Sequence, residues 1–410
     1  MIHRFFSTVV TIVIVTAING EDEVGDENFI YKCELHSITQ NADNNTDFTK
    51  NLSNTDKRKS SLWNISFEND RILEQLNHTR VDGNPRMNHI WLEWGPSFWG
   101  VKAGIEEFKD CRVKECTILP RQEKDASVVA DARVFTDGVN YLDLLRLKNF
   151  HRTSSQIWIV HVLESPVMGS SNFQLLETCF NWTATYRIDS TIVTPYARWV
   201  PFNDNVTHTS VQNSIKNYAE NRTKKAAIFV SNCQTSNNRL EYVMELSRYI
   251  EVDIFGDCGR LQCLKSNTND CYEMLRKNYK FYLAFENSNC RDYITEKFYV
   301  NALKNDVLPV VMGAHPEDYK RSAPRNSYIH VEDFKSTKDL AEYLHKLDKN
   351  DSLYNEYFRW KGTGSFIDTK FWCRLCAMLN DQNKPNLVVK ELDRWWRSER
   401  TCIRADQRWT

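Results

Sequence analysis

The chain has 410 residues, 41% hydrophobic and 12% aromatic, which is globular composition and length enough for two packed domains with appendages. Lysine and arginine number 53 against 54 acidic residues, for a formal net charge of -1. That balance excludes the basic footprint of a nucleic-acid binder, so any anionic ligand must be held by a few placed cations.

At the N-terminus His3 and Arg4 precede an apolar run, Phe5–Ile18, and acidic sequence follows from Glu21. The run is short against the roughly 20 residues that span a bilayer. It fits a cleaved signal peptide or a short signal anchor over residues 1–20. N-x-S/T sequons stand at Asn44, Asn51, Asn64, Asn77, Asn181, Asn205, Asn221 and Asn350. All but Asn181 are taken as glycosylation candidates. There are twelve cysteines, and with the leader and the sequons they point to a secretory lumen, where disulfides are the default.

Residues 21–84 are rich in Asn, Asp, Ser, Thr and Lys and read as a stem, with a weak helix over Leu62–Leu76. Folded sequence begins near Asn88. Apolar units follow at Ser127–Phe135, Gln156–Val162, Thr191–Val193 and Ala226–Ser231. Leu240–Ile250 has helical spacing, Val252–Phe255 and Tyr282–Phe285 read as strands, Ile294–Lys304 as a helix, Val307–Met312 as a strand and Thr337–Leu347 as a helix. Short apolar runs alternating with helices predict parallel sheets in βα units. A polar boundary at Asn213–Lys225 divides them into α/β domains at 85–215 and 216–362, facing across a cleft, with a C-terminal segment at 363–410. Ligands in such folds sit at the carboxyl ends of the strands.

Four segments carry chemistry. In Tyr279–Gly313, Glu286 and Asn287 fall at a strand end, Asp292 is placed to cap the next helix, and Lys297 lies in that helix's first turn. A cation there opposes the helix dipole, which makes sense beside a bound anion such as a diphosphate, or beside Glu286 or Glu296 as ion-pair partners. Glu164 follows a strand directly and is placed to act as a general base, or as a surface or capping glutamate. Phe180–Ser190 mixes aromatic and polar groups suited to a sugar, a base or a core. Ser231–Leu240 is a polar loop that ends on Arg239, a second cation or a surface arginine. No D-x-D triplet stands where a metal would be held, and Asp253 and Asp257 are wrongly spaced, so no metal ligands are assigned.

These segments, in this order, resemble the α1,3-fucosyltransferases of glycosyltransferase family 10. FYLAFENS, DYITEKF and LPVVMG resemble the donor-binding signature. VHVLESP, FNWTATYRIDS with Pro195 and Tyr196, and SNCQTSNNRLEYV resemble further family motifs. The resemblance runs from about Trp91 to the C-terminus. It implies a GT-B fold of two Rossmann-like domains, the first on the acceptor side and the second binding GDP-β-L-fucose. It implies inverting transfer of L-fucose to a GlcNAc hydroxyl of a glycoprotein N-glycan. Glu164 matches the base, and Arg239 and Lys297 match the cations on the diphosphate. Glu286, Asn287, Tyr293 and Glu296 match donor contacts, with Tyr186, Arg187, Ser231 and Asn232 as further donor or acceptor contacts. Cys111 and Cys116 match cysteines that bond Cys373 and Cys376 and return the C-terminal segment to the acceptor domain, with the pairing left open. No cofactor is required, though a divalent cation, Mn or Mg, is allowed as a stimulant.

The implied location is the Golgi membrane with a lumenal catalytic domain, or a soluble secreted form. The FWCRLC segment and the SNCQT loop are similar to invertebrate members and favour the core Asn-linked GlcNAc over Lewis-type outer GlcNAc. A non-catalytic glycan-binding glycoprotein is the reading from another class. A disulfide oxidoreductase using Cys373 and Cys376 lacks thioredoxin-like context. The chain departs from better-known members at Cys290, where histidine is common, at Thr191, where aspartate is common, and in its short apolar N-terminus.

Overall fold

The structure is a computed structural model that describes residues 62–63, 70–79, 86–120, 130–136, 153, 155–169, 173–176, 178–202, 216–263 and 268–409. The expected leader, most of the stem and the sequons at Asn44, Asn51, Asn64 and Asn205 lie outside them. Among the described residues no helix is long and apolar enough to cross a membrane.

Among the described residues, two five-stranded parallel sheets organise the fold. The first contains β1 (Asn88–Leu92), β2 (Cys116–Ile118), β3 (Ala132–Phe135), β4 (Ile157–Val162) and β5 (Trp182–Thr185), in the order β2-β1-β3-β4-β5. A short strand, β6 (Arg198–Pro201), leaves it. The second contains β7 (Lys224–Phe229), β8 (Val252–Phe255) and β9 (Tyr279–Phe285), then, after the two-residue β10 (Asn289–Cys290), β11 (Leu308–Met312) and β12 (Ile329–His330). Its order is β12-β11-β9-β7-β8, again all parallel. In each sheet the second strand lies on one side of the first and the rest on the other. That doubly wound order opens a crevice at the carboxyl ends, between β7 and β9 in the second sheet.

The alternation of strand and helix is as the sequence predicts, and each sheet is covered on both faces. Ile228, Phe281, Leu283 and Val310 pack under Leu340 and Leu344 on one face of the second sheet. Tyr282, Ala284 and Val311 pack with Phe298 and Tyr319 on the other. β9 is buried along its whole length, which is why it reads as a continuous apolar run rather than an alternating one.

The structure corrects several local expectations. Thr191–Val193 is not a strand; the fifth strand is Trp182–Thr185. The later segment lies beside it through Ile192 N–H to Thr183 O at 2.9 Å and Thr194 N–H to Thr185 O at 2.7 Å. The stem helix covers only Arg71–Asn77, capped by Asp70. The helix expected at Ile294 starts at Lys297 and is π-helical to Ala302, a wide turn that is frequent at functional sites. Asp292 does not cap it. Its backbone is left-handed, with φ of 60°, and its carboxylate turns instead to Arg321 and to the Ile188 N–H beyond β5.

The C-terminal segment runs from β13 (Gly364–Ile367), antiparallel to β6, into a helix at Phe371–Asn380 packed under the first sheet. Disulfides Cys111–Cys373 and Cys116–Cys376 fix it there. Because Cys373 and Cys376 have separate partners, they are not a mutual redox pair. A helix at Leu392–Arg397 and β14 (Cys402–Ile403) follow, and β14 pairs with β10. The tail thus goes beyond the first sheet to reach the second. Further bridges are Cys233–Cys258, Cys263–Cys271 and Cys290–Cys402.

Of the described sequons, Asn77, Asn221 and Asn350 are exposed. Asn350 Oδ1 caps a helix by accepting from Leu353 N–H. Asn181 is buried, with Oδ1 accepting from Trp158 N–H and Nδ2 donating to Leu387 O.

Candidate active site

The carboxyl ends of β4 and β9 bring Glu164 against the loop that follows Phe285. Glu164 Oε1 accepts from Tyr293 OH at 2.6 Å, from Asn287 Nδ2 at 3.1 Å and from Ser165 N–H at 2.9 Å. Ser165 and Ser288 hydroxyls meet at 2.8 Å beside them. Three donors converge on one oxygen, and Oε2 has no partner among the described residues. The carboxylate is half-buried, oriented and open on one side.

Behind it lies a charged cluster built on β9. Glu286 is fully buried. Its Oε1 accepts from Thr295 N–H and its Oε2 from Thr295 Oγ1, both at 2.8 Å, with Lys297 Nζ at 3.1 Å from Oε2. Burial raises the Glu286 carboxyl above its ordinary range, against the pull of Lys297. Lys297 also lies 3.2 Å from Glu296. Burial disfavours its ammonium, but Glu286 and Glu296 outweigh this and hold its pKa above the usual lysine value. Gly313, at the end of β11, lets Glu286 fit: a Cβ there would come within 2.7 Å of Glu286 Cγ.

Arg239 opens the helix Arg239–Leu246 and is 3% exposed. It donates to Phe285 O at 3.0 Å and to Asn232 O at 3.1 Å. Its Nε is buried and has no partner among the described residues. Burial lowers its pKa while Glu286 raises it, yet a guanidinium stays charged. A buried, charged donor left unpaired costs free energy unless a ligand satisfies it. Ser231 and Asn232 are exposed at the mouth of the same crevice.

Tyr293 packs on Tyr186 with ring centroids 5.0 Å apart. Burial first, then neighbouring tyrosine and carboxylate groups, push the Tyr293 phenol well above its ordinary value, so it stays a donor. Arg187 points elsewhere: it is bidentate to Asp189, donates to Trp395 O at 2.6 Å and to Thr401 Oγ1 at 3.2 Å, and stacks on Trp395. The structure therefore gathers Glu164, Asn287, Tyr293, Glu286, Glu296, Lys297 and Arg239 in one place, while Arg187 is engaged by the C-terminal segment.

Sequence reasoning missed two residues of this cluster. Thr295 binds both oxygens of Glu286. Asn237 is buried and donates to Glu286 O and Asn289 Oδ1, each at 2.9 Å. Both stand inside the motifs, and only the fold shows that they face one carboxylate's strand.

Two doubly wound sheets whose carboxyl ends meet across a cleft are the GT-B arrangement of glycosyltransferases. The family description "Fucosyltransferase, N-terminal" matches residues 86–197, and "Glycosyltransferase family 10 (fucosyltransferase) C-term" matches residues 219–395. The chain belongs to glycosyltransferase family 10, the fucosyltransferases, and is an enzyme of that class. It is similar to glycoprotein 3-alpha-L-fucosyltransferase A of Drosophila melanogaster, with 46% identity over 81% of this chain and 66% of that protein, just under two thirds of its length. Alpha-(1,3)-fucosyltransferase C of the same fly is 32% identical over 78% of this chain and 79% of its own. Human 3-galactosyl-N-acetylglucosaminide 4-alpha-L-fucosyltransferase is 34% identical over 69% of this chain and 78% of its own. A crystal structure of alpha1,3-fucosyltransferase with GDP-fucose aligns with a TM-score of 0.48 at 15% identity, covering 77% of this chain and 97% of that one.

Proposed function

We propose that the protein transfers L-fucose from GDP-β-L-fucose, with inversion, in α1,3 linkage to the Asn-linked core GlcNAc of glycoprotein N-glycans. The observation that carries this reading is the pairing of an oriented carboxylate, Glu164, with two cations, the buried Arg239 and the half-buried Lys297, across one cleft. Inversion needs a base on the acceptor face and a stabilised leaving group opposite. Glu164 Oε2 takes the acceptor hydroxyl proton while Tyr293 and Asn287 hold Oε1. The transition state is oxocarbenium-like, and GDP leaves with growing negative charge. Arg239 Nε and Lys297 Nζ meet that charge, and fixed donors in a buried site stabilise it without reorganising. Glu286 and Thr295 act by holding Lys297, Glu296 faces the donor at the rim, Ser231 and Asn232 line the mouth, and Tyr186 backs Tyr293 from behind. With two cations in place, a divalent ion stimulates rather than being required.

The choice of core GlcNAc rests on the 46% identity to a glycoprotein fucosyltransferase, against 34% for the human enzyme named for a galactosylated acceptor. The bridges and exposed sequons support a secretory, Golgi-lumenal location. The test is GDP-fucose with a panel of acceptors, core-only glycopeptides against lactosamine, and the linkage assigned by NMR. Fucose on O3 of the Asn-linked GlcNAc is expected. Transfer confined to lactosamine would replace the core reading with a Lewis-type one, and binding without transfer would favour a lectin-like glycoprotein.

A further inference from the structure

Cys290 sits in the middle of the donor loop, three residues from Asn287 and three from Tyr293, the two side chains that hold Glu164 Oε1. It is fully buried and bonded to Cys402. Around the bridge, Asn289 and Cys290 pair antiparallel with Ile403 and Cys402, and Arg291 N–H donates to Thr401 O at 2.8 Å. Thr401 also receives Arg187 from the first sheet. One turn earlier, Trp396 packs on Tyr186, whose ring backs Tyr293. Past the bridge, Trp409 Nε1 donates to Gly313 O at 3.0 Å, next to Glu286. The tail therefore touches both walls of the cleft, and its covalent tie falls between the two groups that orient the carboxylate.

We propose that the Cys290–Cys402 bridge is a positioning element for the base: by pinning the loop to the tail it sets where Asn287 and Tyr293 meet Glu164. This rests on the reading of Glu164 as the base. The diphosphate cations are carried by other elements, Arg239 by the helix after β7 and Lys297 by the π-helical turn. Loss of the bridge therefore acts on turnover rather than on donor binding. A misplacement of about 1 Å at such a contact costs up to roughly 100-fold in rate.

The test uses the full chain with both cysteines replaced, Cys290→Ala with Cys402→Ala, and a second pair, Cys290→Val with Cys402→Val, which keeps the buried volume. Both are compared in kcat and donor KM, alone and on a Tyr293→Phe background. The expected result is a kcat lower by about 10- to 100-fold with donor KM within about threefold. On the Tyr293→Phe background the same pairs cost little further, because both changes act through one contact. Unchanged kcat, a KM effect as large as the kcat effect, or full multiplication with Tyr293→Phe would overturn the proposal. So would failure of both pairs to fold, which would make the bridge a folding element. Glu164→Gln, measured alongside, tests the base assignment separately: full activity there removes the base reading whatever the bridge does.

Discussion

Among the described residues Glu164 receives three hydrogen bonds on one oxygen and none on the other, and this asymmetry separates its role from that of the cations. Glu164→Gln is expected to lower kcat by about 10²- to 10⁴-fold while GDP affinity survives. Lys297→Ala is expected to weaken donor binding by about 10- to 100-fold, the loss of one charge-assisted contact. Titration calorimetry with GDP distinguishes the two, and equal GDP affinity in wild type and Lys297→Ala would take the lysine out of the diphosphate site. At this scale the sequence was informative where a residue's position was anomalous. A lysine at a helix start and a glutamate straight after a strand are visible without a fold. The partners of Cys290 and Arg187 were not, because Cys402, Trp395 and Thr401 lie far along the chain. Sequence spacing carries no information about such contacts.

At the level of elements, the buried strands were legible because each is a short apolar run, and β9 is the clearest. β5 was not: its Trp182 and alternating threonines read equally well as a ligand-binding motif, and only pairing with β4 makes them a strand. The π-helical turn at Lys297 had no sequence signature either, since apolar spacing cannot separate it from an α-helix. β11 ends on a glycine that the donor loop needs. Gly313 has φ of 151°, and a methyl group there would press on a Glu286 side chain that cannot move, being pinned by Thr295 and Lys297. Gly313→Ala is expected to destabilise the protein by about 1–3 kcal/mol and to weaken GDP-fucose binding. Thermal unfolding with and without GDP checks both, and a wild-type melting temperature with wild-type GDP protection would contradict the packing argument.

Over the whole molecule, stability should depend on pH through His330. The ring is 2% exposed, its Nδ1 accepts from Glu332 N–H, and its Nε2 faces Ala314 O at 3.2 Å. An accepting Nδ1 requires the neutral ring, and burial lowers the pKa to about 4. In the unfolded chain the ring takes a proton near the ordinary histidine value of 6.5. The folded state therefore keeps its full contribution above that value and loses it as pH falls through the window down to about 4. The loss is of order 3 kcal/mol at most. Melting curves between pH 7 and 4.5 should show this decline, and His330→Gln should flatten that part of it. The two-sheet plan was readable from the alternation of runs. The course of the tail was readable only as far as its two family-like cysteines, and its continuation to β10 and Gly313 was not.

The two disulfides that fasten the C-terminal helix span 262 and 260 residues. A ribosome adding about 5–20 residues per second needs on the order of 10–50 s to make that interval. Once Thr185 completes the first sheet, that sheet still waits for its covering helix at Phe371–Asn380, and Cys111 and Cys116, five residues apart, wait for their partners. Asn181 waits as well, because the carbonyl it binds belongs to Leu387. The first half of the protein thus stays unfinished until the segment from Phe371 to Leu387 has been made. Its maturation depends on whatever shields a bare sheet and holds back premature thiol pairing during that interval.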